Sequence, residues 1–304
     1  MIVGAGILPT APLLLDGVSG ARPPAVDRVA DAVDAVVDSL PEADVVVLLI
    51  AAPAARDRAD GQPHGLFDDA TAHLAGIGRP DIVLLGQVHR AALEAISRVT
   101  RYPLYRGEPL PLALSVLALQ LGGHAPVVPI AVPPSASADA LIGVGAGIAG
   151  ALRRLPAGDA APPVPAGGPG PTTAAHAAGD PSAGDPAARV PLDLADTGEL
   201  PAPGRDLRVL VVAAGDLSAG LTERSPLHVV PGAGAWDDEA VQCVDSGRLD
   251  GLAALGPEQA TRVGALGWAP MVVLHGCLAR AKLGMVVRHY SAPRGVGYLV
   301  AQGG

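Results

Sequence analysis

The chain has 304 residues and a formal net charge of −9, with 21 Lys and Arg against 30 Asp and Glu. That field repels polyanions, and an aromatic share of 2% leaves few platforms for stacking bases, so nucleic-acid binding is excluded as a main role. A hydrophobic share of 49% is ample for a core, built here from aliphatic side chains.

The two cysteines, Cys243 and Cys277, form neither a metal motif nor a disulfide framework, and a cytoplasmic setting suits them. No basic flank precedes the first apolar run, Ile2 to Leu8, so no signal peptide is expected. Pro109 to Ser137 carries no charge and exceeds the roughly 20 residues of a membrane span. Gly122, Gly123, His124, Pro126, Pro129, Pro133 and Pro134 cut it, so it reads as a helix followed by a buried strand, with no transmembrane segment.

Ile2–Leu8 is the first strand candidate and ends at Pro9-Thr10-Ala11-Pro12. Pro23-Pro24 opens a helix in which Val26, Val29, Ala30, Val33, Val37 and Leu40 recur at helical spacing. Asp27, Asp31, Asp34 and Asp38 line its other side, a solvated face rather than a cation site. Asp44–Ile50 shows no polar alternation, which predicts a central strand buried on both faces. A polar loop at Arg56–Asp69, a strand at Ile82–Leu85, helices at Arg90–Val99 and Leu110–Leu121, and a strand at Val127–Val132 follow. Ser137 caps a helix running to Leu155.

From 156 to 205 Pro, Ala, Gly, Ser and Thr dominate, a composition that predicts a disordered insert between residues 1–155 and 206–304 of one domain. Val209–Val212 is another buried strand and delivers the loop Gly215-Asp216-Leu217-Ser218-Ala219-Gly220. Strand-to-loop junctions of this kind are where α/β proteins keep their chemistry. Trp236–Ser246, Leu249–Leu255 and Pro257–Lys282 read as helices, and Met285–Tyr290 and Val296–Val300 as closing strands. The predicted class is α/β, a mostly buried central sheet flanked by helices.

The motifs are weak. Gly145-Ala146-Gly147-Ile148-Ala149-Gly150 matches the dinucleotide pattern G-x-G-x-x-G, but no strand precedes it and no acidic residue stands about 20 positions on. Close helix packing is the better reading, and an NAD(P)-dependent oxidoreductase the lesser one. Gly4-Ala5-Gly6 is weaker still. Ser218 has Asp216, not glycine, two residues before it and is no nucleophile elbow. The eight histidines, at 64, 73, 89, 124, 176, 228, 275 and 289, form no H-x-x-x-H pair. His64 is loop-like, and His275 sits in an apolar helix as a core residue.

In order along the chain, Ile7 to Leu15, the strand at Asp44 with its Ala-Ala-Pro ending, Leu110 to Leu114, Val209 to Ala219 and Ala292 to Tyr298 resemble one family. It is the B-subunit-like (LigB-like) family of class III extradiol ring-cleavage dioxygenases, with the Memo proteins as relatives. The resemblance implies a single α/β domain and, in active members, Fe(II) held by two histidines and a glutamate, with another histidine as acid/base. It puts the first iron-binding histidine at Thr10, in Pro9-Thr10-Ala11-Pro12, and the second at Ala54, in Ala52-Pro53-Ala54. The acid/base histidine falls on Ala219, after Asp216-Leu217-Ser218. The glutamate falls in Gly264–Trp268, before Gly276, where there is no acid, and Glu258 comes too early.

All four positions thus hold side chains that cannot serve, and alanine offers a metal no donor. The expectation is a non-catalytic scaffold that binds a small molecule or a protein through a cleft at Thr10, Pro12, Pro53, Ala54, Asp216, Ser218 and Ala219, without a cofactor. The alternative is an active Fe(II) dioxygenase for catechol-type substrates, with ligands relocated to Asp216, His64, His228 and Glu223. Neither reading calls for a membrane, and both leave homo-oligomerisation open.

Overall fold

In the computed structural model, the described residues are 1–18, 21–52, 64–123, 125–155, 206–281 and 283–304. The sequence-predicted insert at 156–205 lies outside them, as do most of the predicted loop at 56–69 and His124.

Ten strands and eight helices are described. The strands are β1 (Ile2–Leu8), β2 (Val45–Ala51), β3 (Gly65–Phe67), β4 (Thr71–Leu74), β5 (Arg79–Leu85), β6 (Leu104–Tyr105), β7 (Val127–Val132), β8 (Val209–Ala214), β9 (Met285–Ser291) and β10 (Tyr298–Gly303). The helices are α1 (Pro24–Ser39), α2 (Arg90–Thr100), α3 (Leu112–Gln120), α4 (Ala138–Leu152), α5 (Ala233–Asp245), α6 (Asp250–Leu255), α7 (Pro257–Val263) and α8 (Trp268–Leu278).

Eight strands form one sheet in the order β6-β3-β7-β2-β8-β1-β10-β9. Its centre, β7-β2-β8-β1, is parallel throughout. These are the Val- and Ile-rich runs without alternation, and β2, β7 and β8 are buried almost end to end. Alternate residues face opposite layers. Val45, Val47 and Leu49 join a core with residues of α2, α4, α5, α6 and α8. Val46, Leu48 and Ile50 join a second core with residues of α1 and α3. The sheet is thus covered by helices on both sides, the α/β architecture expected from the sequence. Because β8 pairs with both β1 and β2, residues 206–304 complete the sheet begun by residues 1–155.

Three local readings differ. The stretch read as a polar loop to Asp69 contains β3, whose three buried residues add to β7 in antiparallel fashion. Three residues are too few for a periodic signal. The strand predicted at Ile82–Leu85 does form, but in a separate two-stranded sheet with β4. The single helix predicted at Pro257–Lys282 is two, α7 and α8, because Gly264 takes a left-handed φ of 73° and ends α7. On α1 Asp31, Asp34 and Asp38 are exposed as expected while Asp27 is half-buried, and Val36 rather than Val37 completes the buried stripe.

The glycine-rich motif is a packing device inside α4. A Cβ on Gly145 would lie 2.1 Å from the Val273 carbonyl oxygen, and one on Gly276 would lie 2.3 Å from that of Ile142. The backbones of α4 and α8 touch there, which only a missing side chain permits. Gly143, two residues earlier, has nothing within 4 Å of such a Cβ. Gly145→Ala should therefore destabilise by roughly 1–3 kcal/mol, although alanine is the better helix former by about 1 kcal/mol. Gly143→Ala should be neutral or stabilising by up to about 1 kcal/mol. Urea midpoints of the two variants check the pair.

Candidate functional site

The carboxyl ends of β2, β8 and β1 lie side by side, since β8 is central to that trio. Ligands of open α/β sheets bind outside such ends. The turn after β1 brings Thr10 onto the turn after β8. The Thr10 N–H donates to both oxygens of Asp216, at 3.2 and 3.0 Å, and the Thr10 hydroxyl donates to Oδ2. Pro12 begins a short helical turn just beyond.

The 215–221 segment is stitched to its neighbours through its backbone. Leu217 N–H donates to the Gly297 carbonyl at 2.8 Å, Gly297 N–H to the Ser218 carbonyl at 2.9 Å, and Ala219 N–H to the Val263 carbonyl at 2.8 Å. The Gly267 N–H reaches the Asp216 carbonyl at 2.6 Å. Three of the four positions singled out by the resemblance therefore converge: Thr10, Ala219 and the stretch Gly264–Trp268. Ala52 ends the adjacent strand β2, while Pro53 and Ala54 lie outside the described residues.

Asp216 keeps some contact with solvent, yet protein crowds it on its other sides. That desolvation raises its pKa above the ordinary carboxylate range, against the pull of the Thr10 hydrogen bonds. Tyr298, which forms an isolated β-bridge with Asp216, is pushed up to about 12 by burial, with the Asp216 charge adding to it.

Ser218 is sealed in. It has no exposed surface, its N–H donates to Asp237 Oδ1 at 3.0 Å, and its hydroxyl points to the Ala233 carbonyl at 3.5 Å. Asp237, from α5, is fully buried and also accepts from the Tyr290 hydroxyl at 2.7 Å. Burial raises the Asp237 pKa, and the hydrogen bonds from Ser218 and Tyr290 only partly offset this. Sequence reasoning missed Asp237 because Asp237-Asp238-Glu239 reads as a solvated helix face. It also missed Gln120, at the end of apolar α3, whose Nε2 donates to the Pro9 carbonyl at 3.0 Å beside Thr10.

The relocated ligand set is not assembled. His64 precedes β3, with its ring edge-on to Tyr102 at 5.1 Å. β3 is three strands from β8, on the order of 14 Å along the sheet. His228 and Glu223 are exposed, and the His228 ring meets only the Glu223 carbonyl, at 3.4 Å. Among the described residues no group of three or more His, Cys, Asp and Glu is arranged to hold a metal ion.

An open hollow of about 560 Å³ lies near the β3–β6 edge of the sheet, lined by Asp68, Asp69, Gln87 and Arg90. Its carboxylates are already engaged, Asp68 by the Gly107 N–H at 2.8 Å and by Arg90, and Asp69 by the Thr71 N–H at 2.7 Å.

No family model and no curated protein matches the sequence. A solved structure with the same fold is the uncharacterized protein JW3007 from Escherichia coli K12. It aligns with a TM-score of 0.51 at 12% identity, over 98% of this chain and 98% of that one. At that identity the likeness concerns the fold alone. Among the described residues, no helix is long and apolar enough to cross a membrane.

The Asp237 cluster makes a prediction of its own. Its raised pKa means that the folded state holds a proton the unfolded chain releases near pH 4, so its contribution to stability falls as pH rises from there through the raised value. Asp237→Asn should flatten that fall and keep neutral-pH stability within about 1 kcal/mol. Asp237→Ala should lose about 1–3 kcal/mol, leaving the Ser218 N–H and the Tyr290 hydroxyl unpaired. Denaturant titrations across pH 4–8 separate the two.

Proposed function

We propose that the chain is a LigB-like scaffold that has lost the ring-cleavage centre and uses the loops around Thr10 and Asp216 to bind a small molecule or a protein. The observation that carries this reading is the clamp between Thr10 and Asp216. Where the resemblance calls for an iron-binding histidine, a threonine spends its N–H and hydroxyl on the neighbouring carboxylate. An Fe(II) facial triad needs three donors directed at one point, and the other matched positions that are described, Ala219 and the acid-free stretch Gly264–Trp268, supply none. The distance from His64 to Asp216, several times the span of a metal's ligand shell, argues against relocation.

A cytoplasmic location belongs to the same proposal. Cys243 and Cys277 are buried and unpaired, which suits a reducing compartment.

Metal analysis of the purified chain after incubation with Fe(II), Zn(II) or Mn(II) and desalting tests the reading. The expected result is well under one equivalent of any metal, and no ring-opened product from catechol-type substrates under air. One tightly held equivalent with ring opening would overturn it.

A further inference from the structure

We propose that the hollow near the β3–β6 edge binds a short zwitterion, its carboxylate on the Arg90 guanidinium and its ammonium on the Asp69 carboxylate. The hollow lies beside Val88, which bridges to Val127 at the start of β7, whereas Thr10 and Asp216 follow the ends of β1 and β8. β7 runs parallel to β2, and β2 to β8, so the two places are at opposite ends of the sheet. Binding in the hollow is therefore independent of the loops around Thr10 and Asp216.

Both signs of charge line this space of about 560 Å³, and backbone bonds hold the carboxylates in place. Asp68 Oδ1 accepts the Gly107 N–H at 2.8 Å, and its Oδ2 lies 3.4 Å from the Arg90 guanidinium. The Asp68 side chain is only 13% exposed, so it anchors Arg90 from one side. Arg90 is 65% exposed, and that single long contact leaves most of its five N–H donors to the hollow and the solvent. Asp69 Oδ1 accepts the Thr71 N–H at 2.7 Å. This bond holds the Asp69 pKa below the ordinary carboxylate range against partial burial, and the Arg90 charge acts in the same direction. Asp69 is thus ionised at neutral pH and, among the described residues, has no ion pair.

The mixture of charges selects the ligand. Two carboxylates repel a simple anion, and Arg90 weakens the hold on a simple cation or metal ion. A molecule that carries both charges pairs each with its opposite. Its carboxylate meets the Arg90 fork through two parallel N–H bonds, and its ammonium donates to Asp69. Ala70 and Val88, which also line the hollow, give its carbon chain an apolar wall.

Ligand-observed NMR titration of the full chain with glycine, β-alanine and 4-aminobutanoate tests the proposal, with propylamine and propionate as single-charge controls. At least one zwitterion should bind roughly tenfold more tightly than either control. Arg90→Gln and Asp69→Asn should each weaken that zwitterion by roughly tenfold. Arg90 is exposed, and asparagine keeps an oxygen for the Thr71 N–H, so both variants should fold, as circular dichroism checks. Arg98→Gln, on the same helix but outside the hollow, should leave binding unchanged. A control that binds as tightly as the zwitterions, no binding by any of the three, or full affinity in Arg90→Gln would overturn the proposal. Each of these outcomes leaves the scaffold reading standing, since that reading falls only with a tightly held metal and ring opening.

Discussion

The hydrogen bonding of β8 to both β1 and β2 is the constraint from which the rest of the molecule follows. It joins the two ends of the chain in one sheet and sets three strand ends in a row. It also forces the turn after β8 between the turns after its neighbours, so Asp216 meets Thr10 although 206 residues separate them. The entropy of closing so long a connection grows only with the logarithm of its length, by about 0.6 kcal/mol per doubling. An extensive apolar interface on both faces of the sheet can offset that.

Two enclosed acids flank Ser218, and their surroundings give them different roles. Asp237 is sealed, and the Ser218 N–H and Tyr290 hydroxyl share its oxygens, so it ties α5 and β9 to the site loop. Asp216 sits at the open end of the strand, held from one side by Thr10. Both have raised pKa values through desolvation, but only Asp216 keeps contact with solvent. Desolvation therefore raises the pKa of a carboxyl with no exposed surface and of one that keeps some. Exposure and hydrogen-bond partners, rather than titration, distinguish the two carboxylates here.

Small residues do related work at a distance. The contact of α4 with α8 through Gly145 and Gly276 brings α8 close against α4, and the stretch Val263–Gly267 leads from α7 into α8 while Val263 bonds to Ala219 and Gly267 to Asp216. A motif with the spacing of a nucleotide loop thus serves packing, and the precision of that packing supports the site.

What the sequence by itself determined is the set of buried elements. Unbroken Val- and Ile-rich runs mark strands hidden on both faces, and apolar repeats with an aspartate stripe mark α1, because burial of side chains is a local property of the pattern. The pairing of Thr10 with Asp216, the burial of Asp237, the approach of Gln120 to Pro9 and the separation of His64 from the rest were decided only by tertiary structure. Each depends on strand order, and strand order reflects the packing of whole layers rather than any local run of residues. The short β3 and the break at Gly264 were illegible for a related reason: a few residues carry too little periodicity, and neighbouring elements decide their conformation.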